Sequence, residues 1–309
     1  MDEAPYECAI VGGGVAGLSA ALVLGRARRR TIVVDEGHPR NETVVHAHGL
    51  LTRDGIAPNE LLEIARRDVE RYPDVRFLRG RVEAVQSVES LFRVDVSGAA
   101  FIEARRLLLA IGVRDERPPI DGLEALWGKS VFTCPFCDGY EYRDRPIAVL
   151  GCANDAVHLA QELYRWSRDI VVLCPEGAAT LPEAERAWLD AAGVTMRHEP
   201  VRALNGGEGR LHTIEFTDGS GLERDALFLC AALQPAFDLP QRLGCELDAE
   251  NRIVVDDCHK TSVPHCYAAG DVVTRRHQLS TAIASGAQAA ISVNDDLVEE
   301  EVRAMVRRR

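Results

Sequence analysis

The apolar positions open with a compact run, "CAIV", which gives way to glycines and then to "LSAALVLGRA", apolar at helical spacing. A second compact run, "TIVV", ends in an acid. The pattern predicts strand, glycine turn, helix and strand. The same order recurs from Pro146 in "PIAVLGCANDAVHLAQELYRWSRDIVVLCPEG". Between the two, "VRFLRGRVEAVQSVESLFRVDVSGAAFIEARRLLLAIGVR" alternates like a small meander and returns to a buried strand, "LLLAIG". A similar return, "ALFLCAAL", closes the second unit. The Pro-rich crossings at 114–122 and 233–241 read as hinges. The chain is therefore expected to start in one domain (1–117), insert another (118–240) and go home again (241–309).

The glycines carry the first chemistry. Gly12, Gly14 and Gly17 form G-x-G-x-x-G directly after a strand, and Asp35 ends the next strand 23 residues beyond Gly12. In this pattern the first glycine makes the tight turn, the second admits a pyrophosphate and the third lets helix and strand pack closely. The helix N-terminus faces the phosphates, and the acid accepts a ribose hydroxyl. The second unit keeps the 23-residue spacing, from Gly151 to Cys174, but its turn is G-x-A-x-x-A (Gly151, Ala153, Ala156). Ala153 puts a methyl where a pyrophosphate should approach. No Arg or Lys lies between Cys174 and Thr180 to meet a 2′-phosphate. Glu176 is left as a carboxylate able to hold an NADH ribose. The fold class is α/β: two Rossmann-like, three-layer (ββα) nucleotide-binding domains, the second inserted into the first.

Charge and composition narrow the class. A net charge of −12 over 309 residues argues against sequence-independent nucleic-acid binding. The N-terminus lacks the basic start of a signal peptide, and no apolar run reaches the ~18 residues of a membrane helix, so a cytoplasmic protein is expected. The closing "VRRR" follows Glu299–Glu301, an order that suits the dipole of one terminal helix. Nine cysteines, an odd and scattered set, do not form a disulfide framework. Seven are isolated, most of them in apolar runs, and read as small buried hydrophobes. The other two, Cys134 and Cys137 in "TCPFCDGY", stand at C-x-x-C spacing before Asp138.

"GGGVAG", the return "AIG" ending at Gly112, an inserted unit carrying C-x-x-C-D-G, and a late "YAAGDVV" occur in that order. Together they resemble the low-molecular-weight thioredoxin reductase family of flavoproteins over nearly the whole chain. The resemblance implies FAD along the first unit, with Gly12, Gly14, Val15, Ala16 and Gly17 at its pyrophosphate. It places Asp35, with Glu36, on the adenosine ribose, the Val82 backbone at the adenine, and Gly270 and Asp271 beside the ribityl chain. Gln278 and Leu279 match the helix start that points at the flavin ring. His48 occupies a loop that usually touches the flavin, with a purely structural role as the alternative. Family members are usually homodimers.

Zinc at the C-x-x-C needs a second ligand pair, which the chain lacks. A structural disulfide across so short a loop constrains little. A dithiol beside a flavin has a mechanism, since C-x-x-C spacing lowers a thiol pKa and the thiolate is the nucleophile. By resemblance Cys137 exchanges electrons with the flavin and Cys134 meets the substrate, with Asp138 as acid/base; the alternative for Asp138 is a helix-start acid. Three functions follow. The favoured one is a dithiol oxidase of the gliotoxin/holomycin type, closing a disulfide in a small molecule or peptide with oxygen as acceptor. The runner-up is an NAD(P)H-dependent reductase of a thioredoxin-like partner, and the third a flavin-binding redox sensor without turnover. No metal site is expected.

Overall fold

The computed structural model describes residues 4–99, 101–175 and 181–307, and at Ala153 the backbone only. The readings at Glu176, at 176–180 and at the Ala153 methyl lie outside the described residues. In chain order the first elements are β1 (Tyr6–Val11), α1 (Val15–Arg26), β2 (Thr31–Asp35), α2 (Pro58–Glu70) and β3 (Val75–Arg79). β4 (Val82–Val88), β5 (Leu91–Val96), β6 (Ile102–Leu109) and β7 (Val113–Asp115) follow. The inserted stretch carries α3 (Leu123–Leu126), β8 (Val131–Phe132), α4 (Pro135–Asp138), β9 (Ile147–Leu150), α5 (Ala153–Leu163) and β10 (Ile170–Leu173). It continues through α6 (Glu183–Ala192), β11 (Thr195–Arg197), β12 (Val201–Gly207), β13 (Arg210–Phe216), β14 (Gly221–Glu223) and β15 (Ala226–Leu229). The return brings β16 (Leu233–Pro235), α7 (Leu239–Leu243), β17 (Cys266–Ala268) and α8 (Leu279–Arg307).

The chain divides into two compact units. One comprises residues up to 42, 59–114 and from 233 onward; the other comprises 43–58 and 115–232. The sequence reading puts the crossings at 117/118 and 240/241; the compact units divide at 114/115 and 232/233, three and eight residues earlier. Packing also assigns 43–58 to the second unit, which nothing in the sequence pattern announced. In that segment Thr43 packs so tightly on Gly128 that a Cβ there would lie 2.6 Å from its Oγ1.

In the first unit β3-β2-β1-β6 form a parallel sheet that β5 and β4 extend antiparallel, with β17 parallel to β6. Both faces of β1 are buried, which is why "CAIV" reads as a continuous apolar run. Cys8 and Ile10 face the layer of α1 and α8, while Ala9 and Val11 face the meander side. α1 and α8 cross closely because small residues meet there: a Cβ on Gly286 would lie 2.0 Å from the Ala16 carbonyl oxygen. α8 starts at Leu279, so Glu299–Glu301 lie near its C-terminal end and do not serve its dipole as the sequence reading expected; they serve ion pairs. Glu300 pairs with Arg105 (3.0 Å) and Arg106 (2.8 Å), and Glu301 with Arg29.

The second unit holds a parallel sheet, β11-β10-β9-β15-β8, and an antiparallel one, β12-β13-β14. Ile147 and Val149 pack against α5 and α6, and Ala148 and Leu150 against the three-stranded layer. The α/β class with two nucleotide-binding-type sheets is what the sequence predicts. Among the described residues no helix is long and apolar enough to cross a membrane, and no cluster of His, Cys, Asp or Glu is suited to a metal.

Candidate functional site

Register builds the candidate site of the first unit. Val34, Val11, Leu109 and Ala268 stand in one row across β2, β1, β6 and β17. The residues just past that row are Asp35, Gly12, Ala110 and then Ala269 and Gly270. The carboxyl edge of the sheet thus gathers Asp35, the glycine turn and the Gly270–Asp271 pair from distant parts of the chain. Gly13 N donates to Asp35 Oδ1 at 2.9 Å, Gly270 N donates to Ser285 Oγ at 3.0 Å, and Asp271 accepts from Arg40 at 3.3 Å. Gln278 caps the start of α8, its carbonyl accepting from Ala282 N, and Leu279 is the first helical residue. Val82 begins β4, Glu36 follows β2 half-buried, and Gly112 turns with φ +66°.

Three glycines divide the work. A Cβ on Gly12 would meet the Ala110 carbonyl oxygen at 2.3 Å, and one on Gly17 would meet the Gly12 oxygen at 1.9 Å. Those two are demanded by the fold. A Cβ on Gly14 meets nothing within 4 Å. The space above Gly14, at the N-terminus of α1, is open. α1 has no acid in its first turn, and Val15, Ala16 and Gly17 precede the first intrahelical bond, Leu18 N to the Gly14 oxygen. This cradle fits a dinucleotide pyrophosphate. Gly14→Val is expected to yield folded but colourless protein, whereas Gly17→Val is expected to fail to fold. Circular dichroism together with flavin absorbance separates the two outcomes.

A second cluster of candidate residues lies on the other unit. Cys134 and Cys137 are joined in a disulfide, with Cα atoms 5.3 Å apart, across the first turn of α4. Phe136 between them is 64% exposed and meets Trp166 edge-on at 5.8 Å. Asp138 ends α4 half-buried. Burial, and after it the charge of Glu141, pushes its carboxyl up to about 7. That value suits proton transfer near neutrality better than a helix-start acid requires. His48, which the resemblance assigns to the flavin loop, belongs by packing to this unit. Its Nε2 lies 3.6 Å from Glu141 Oε1 and its Nδ1 3.5 Å from Asp54 Oδ1. Glu141 and Asp54 were not singled out in the sequence, and only the folding of 43–58 onto this unit joins them to His48.

The second glycine turn sits at the equivalent edge of the other sheet. In the second sheet Leu173, Leu150 and Leu229 form the row, followed by Cys174, Gly151 and Cys230. α5 carries Asp155 in its first turn, where α1 has no acid. A carboxylate there opposes an incoming phosphate. Of the seven isolated cysteines, Cys8, Cys174, Cys245 and Cys266 are buried as expected, Cys230 is partly buried, and Cys152 and Cys258 are exposed.

Comparison with known proteins agrees with this geometry. The family model described as pyridine nucleotide-disulphide oxidoreductase matches residues 6–289. The chain is 30% identical to thioredoxin reductase aclD of Aspergillus oryzae, over 96% of this chain and 98% of that one. The solved structure of HlmI superposes with a TM-score of 0.93 at 38% identity, covering 99% of this chain and 97% of that one. The oxidoreductase from Agrobacterium tumefaciens gives 0.88 at 34% identity, over 96% and 99%. The chain belongs to the pyridine nucleotide-disulphide oxidoreductase family, in its thioredoxin reductase-like branch, and is an oxidoreductase of that kind.

Proposed function

We propose that the protein is an FAD-dependent dithiol oxidase that closes a disulfide in a small-molecule or peptide substrate. The observation that carries the reading is the Cys134–Cys137 disulfide beside a carboxyl raised to about 7. FAD would be held by Gly14 and the first turn of α1, with Asp35 and Glu36 toward the ribose and Gly270, Asp271 and the start of α8 completing the edge. When bound, it supplies a two-electron relay between the dithiol and an acceptor. The exposed rings of Phe136 and Tyr140 offer apolar surface next to the sulfurs, which suits a compact, weakly charged substrate.

The steps at the disulfide follow from the residues. Asp138 accepts the proton of an incoming substrate thiol. The thiolate attacks Cys134 Sγ, and Cys137 leaves as a thiolate. The second substrate thiol then attacks the mixed disulfide, closing the substrate ring and freeing Cys134. The substrate loses two electrons and two protons; oxygen takes the same number as hydrogen peroxide.

Reduction by a nicotinamide dinucleotide is the second reading. Asp155 in the first turn of α5 and the altered second glycine turn count against it. Supplying a small dithiol in air should consume oxygen and release peroxide, while a thioredoxin supplied with NADPH should not turn over. Heat-denatured protein should release FAD; release of FMN alone would contradict the cradle assigned to the adenosine half.

A further inference from the structure

His48 ties the segment 43–58 to the turn that follows the redox helix α4. Ala47 and Ile56 pair antiparallel, Ala47 N donating to the Ile56 oxygen at 2.8 Å and Gly55 N to the Ala47 oxygen at 2.9 Å, which closes residues 48–55 into a loop. Within it Asp54 Oδ1 accepts from Gly49 N at 2.8 Å, so the carboxylate is fixed where it meets His48 Nδ1 at 3.5 Å. The other ring nitrogen meets Glu141 Oε1 at 3.6 Å. Beyond α4, Gly139 keeps helical angles (φ −64°, ψ −32°), and Tyr142 N and Arg143 N donate to the Gly139 and Tyr140 oxygens, both at 3.3 Å. Successive bonds of this three-residue reach bring side chains three positions apart onto one side of the chain. Asp138 and Glu141 are such a pair. Glu141 is also the one charge that adds to burial in raising the Asp138 carboxyl.

We infer that Glu141 is a positioning residue for the acid/base beside the disulfide, and that His48, set in turn by Asp54, holds Glu141 in that place. The inference rests on the acid/base role given to Asp138 and not on the direction of electron flow. A carboxylate beside a second carboxyl disfavours its ionisation, so Glu141 keeps the proton on Asp138 to higher pH. The His48 ring, between Asp54 and Glu141, keeps Glu141 from turning to solvent. The groups facing each member are few. Asp138 is faced by Glu141 and by Tyr142, whose hydroxyl burial pushes above its ordinary value and which stays neutral. Glu141 is faced by Asp138 and His48, and His48 by Glu141, Asp54 and the His46 ring, 6.5 Å away.

The test measures how fast dithiothreitol opens the Cys134–Cys137 disulfide in the full chain, without oxygen, from pH 5 to 9. Samples are quenched with excess N-ethylmaleimide, and the peptide holding both cysteines is weighed by mass spectrometry. Dividing each rate by that of Asp138→Asn cancels the reagent's own ionisation. The wild-type ratio should rise through about pH 7. In Glu141→Gln the like charge is gone, Asp138 loses its proton earlier, and the rise should move at least roughly half a pH unit lower, the scale of one like charge a few ångströms away in a high dielectric. His48→Gln frees Glu141 to solvent and should move the rise the same way. In the Glu141→Gln background it should move it no further, because His48 acts through Glu141. A rise that is present but unmoved by either single substitution, or one that His48→Gln still moves once Glu141 is replaced, would overturn the inference alone. A flat wild-type ratio would overturn it together with the role of Asp138. None of these readings depends on whether a dithiol or NADPH reduces the flavin.

Discussion

Replacing either Cys134 or Cys137 with serine should lower dithiol turnover by at least about 10³-fold while the protein stays yellow. A redox pair acts as a unit, so losing one member removes nearly the whole effect of both. Flavin should remain bound because every cradle residue named above, from Gly14 to Leu279, lies on the first unit and the disulfide on the second. The two variants should differ in one respect. With Cys137→Ser, the attacked Cys134 has no partner to be released from, and a substrate dithiol pre-oxidised to a mixed disulfide reagent should label Cys134 stably. With Cys134→Ser, labelling of Cys137 should be slow. Intact-mass measurement reads both, and fast labelling of Cys137 alone would reverse the assigned roles.

Asp138→Asn should be the next largest loss, roughly 10²–10⁴-fold, the usual worth of a positioned acid or base. The pH dependence has a definite sign. With its carboxyl raised to about 7, Asp138 holds a proton below neutrality and becomes a base as pH rises through that value. Closing a substrate disulfide requires the base, so wild-type turnover should rise through about pH 7, and the asparagine variant should lose that limb. Stability should move the other way. The folded pKa lies above the unfolded value of 3.8, so the fold favours the protonated form. The group destabilises above pH 7, and that penalty is relieved as pH falls from about 7 toward 4. Asp138→Asn should therefore be less active and more heat-resistant than wild type at pH 8. A variant that is both inactive and less stable there would mean that Asp138 serves the structure of α4 instead.

Much of this was legible in the sequence, for a physical reason. The glycine turn, the apolar runs and the 23-residue step to Asp35 are local, and a strand buried on both faces must be written as a continuous apolar run. The C-x-x-C-D cluster is local as well. What stayed hidden depends on long-range packing. Thr43–Pro58 joins the inserted unit through contacts such as Thr43 on Gly128, and nothing near Thr43 encodes them. The pairing of His48 with Glu141 follows from that packing and not from either residue's neighbours. Gly151 could be read as a relic of a phosphate turn, and only the register of β9 against β15 shows the Cys230 thiol filling its space. Asp155 was in plain view, but its meaning depends on falling within the first turn of α5.

The direction of electron flow is the central claim, and anaerobic mixing tests it most directly. Purified protein is mixed, without oxygen, with a small dithiol in one cell and with NADPH in another, and the flavin's visible absorbance is followed. The dithiol should bleach the colour rapidly, through Cys134 and Cys137, and admitted air should restore it with about one peroxide per flavin. NADPH should bleach it slowly or not at all. Asp155 stands in the first turn of α5, and losing two charge-assisted contacts of ~1.5–3 kcal/mol each weakens binding by about two decades or more. Rapid, saturable bleaching by micromolar NADPH, with the dithiol inert, would contradict the oxidase and return the protein to reductase chemistry.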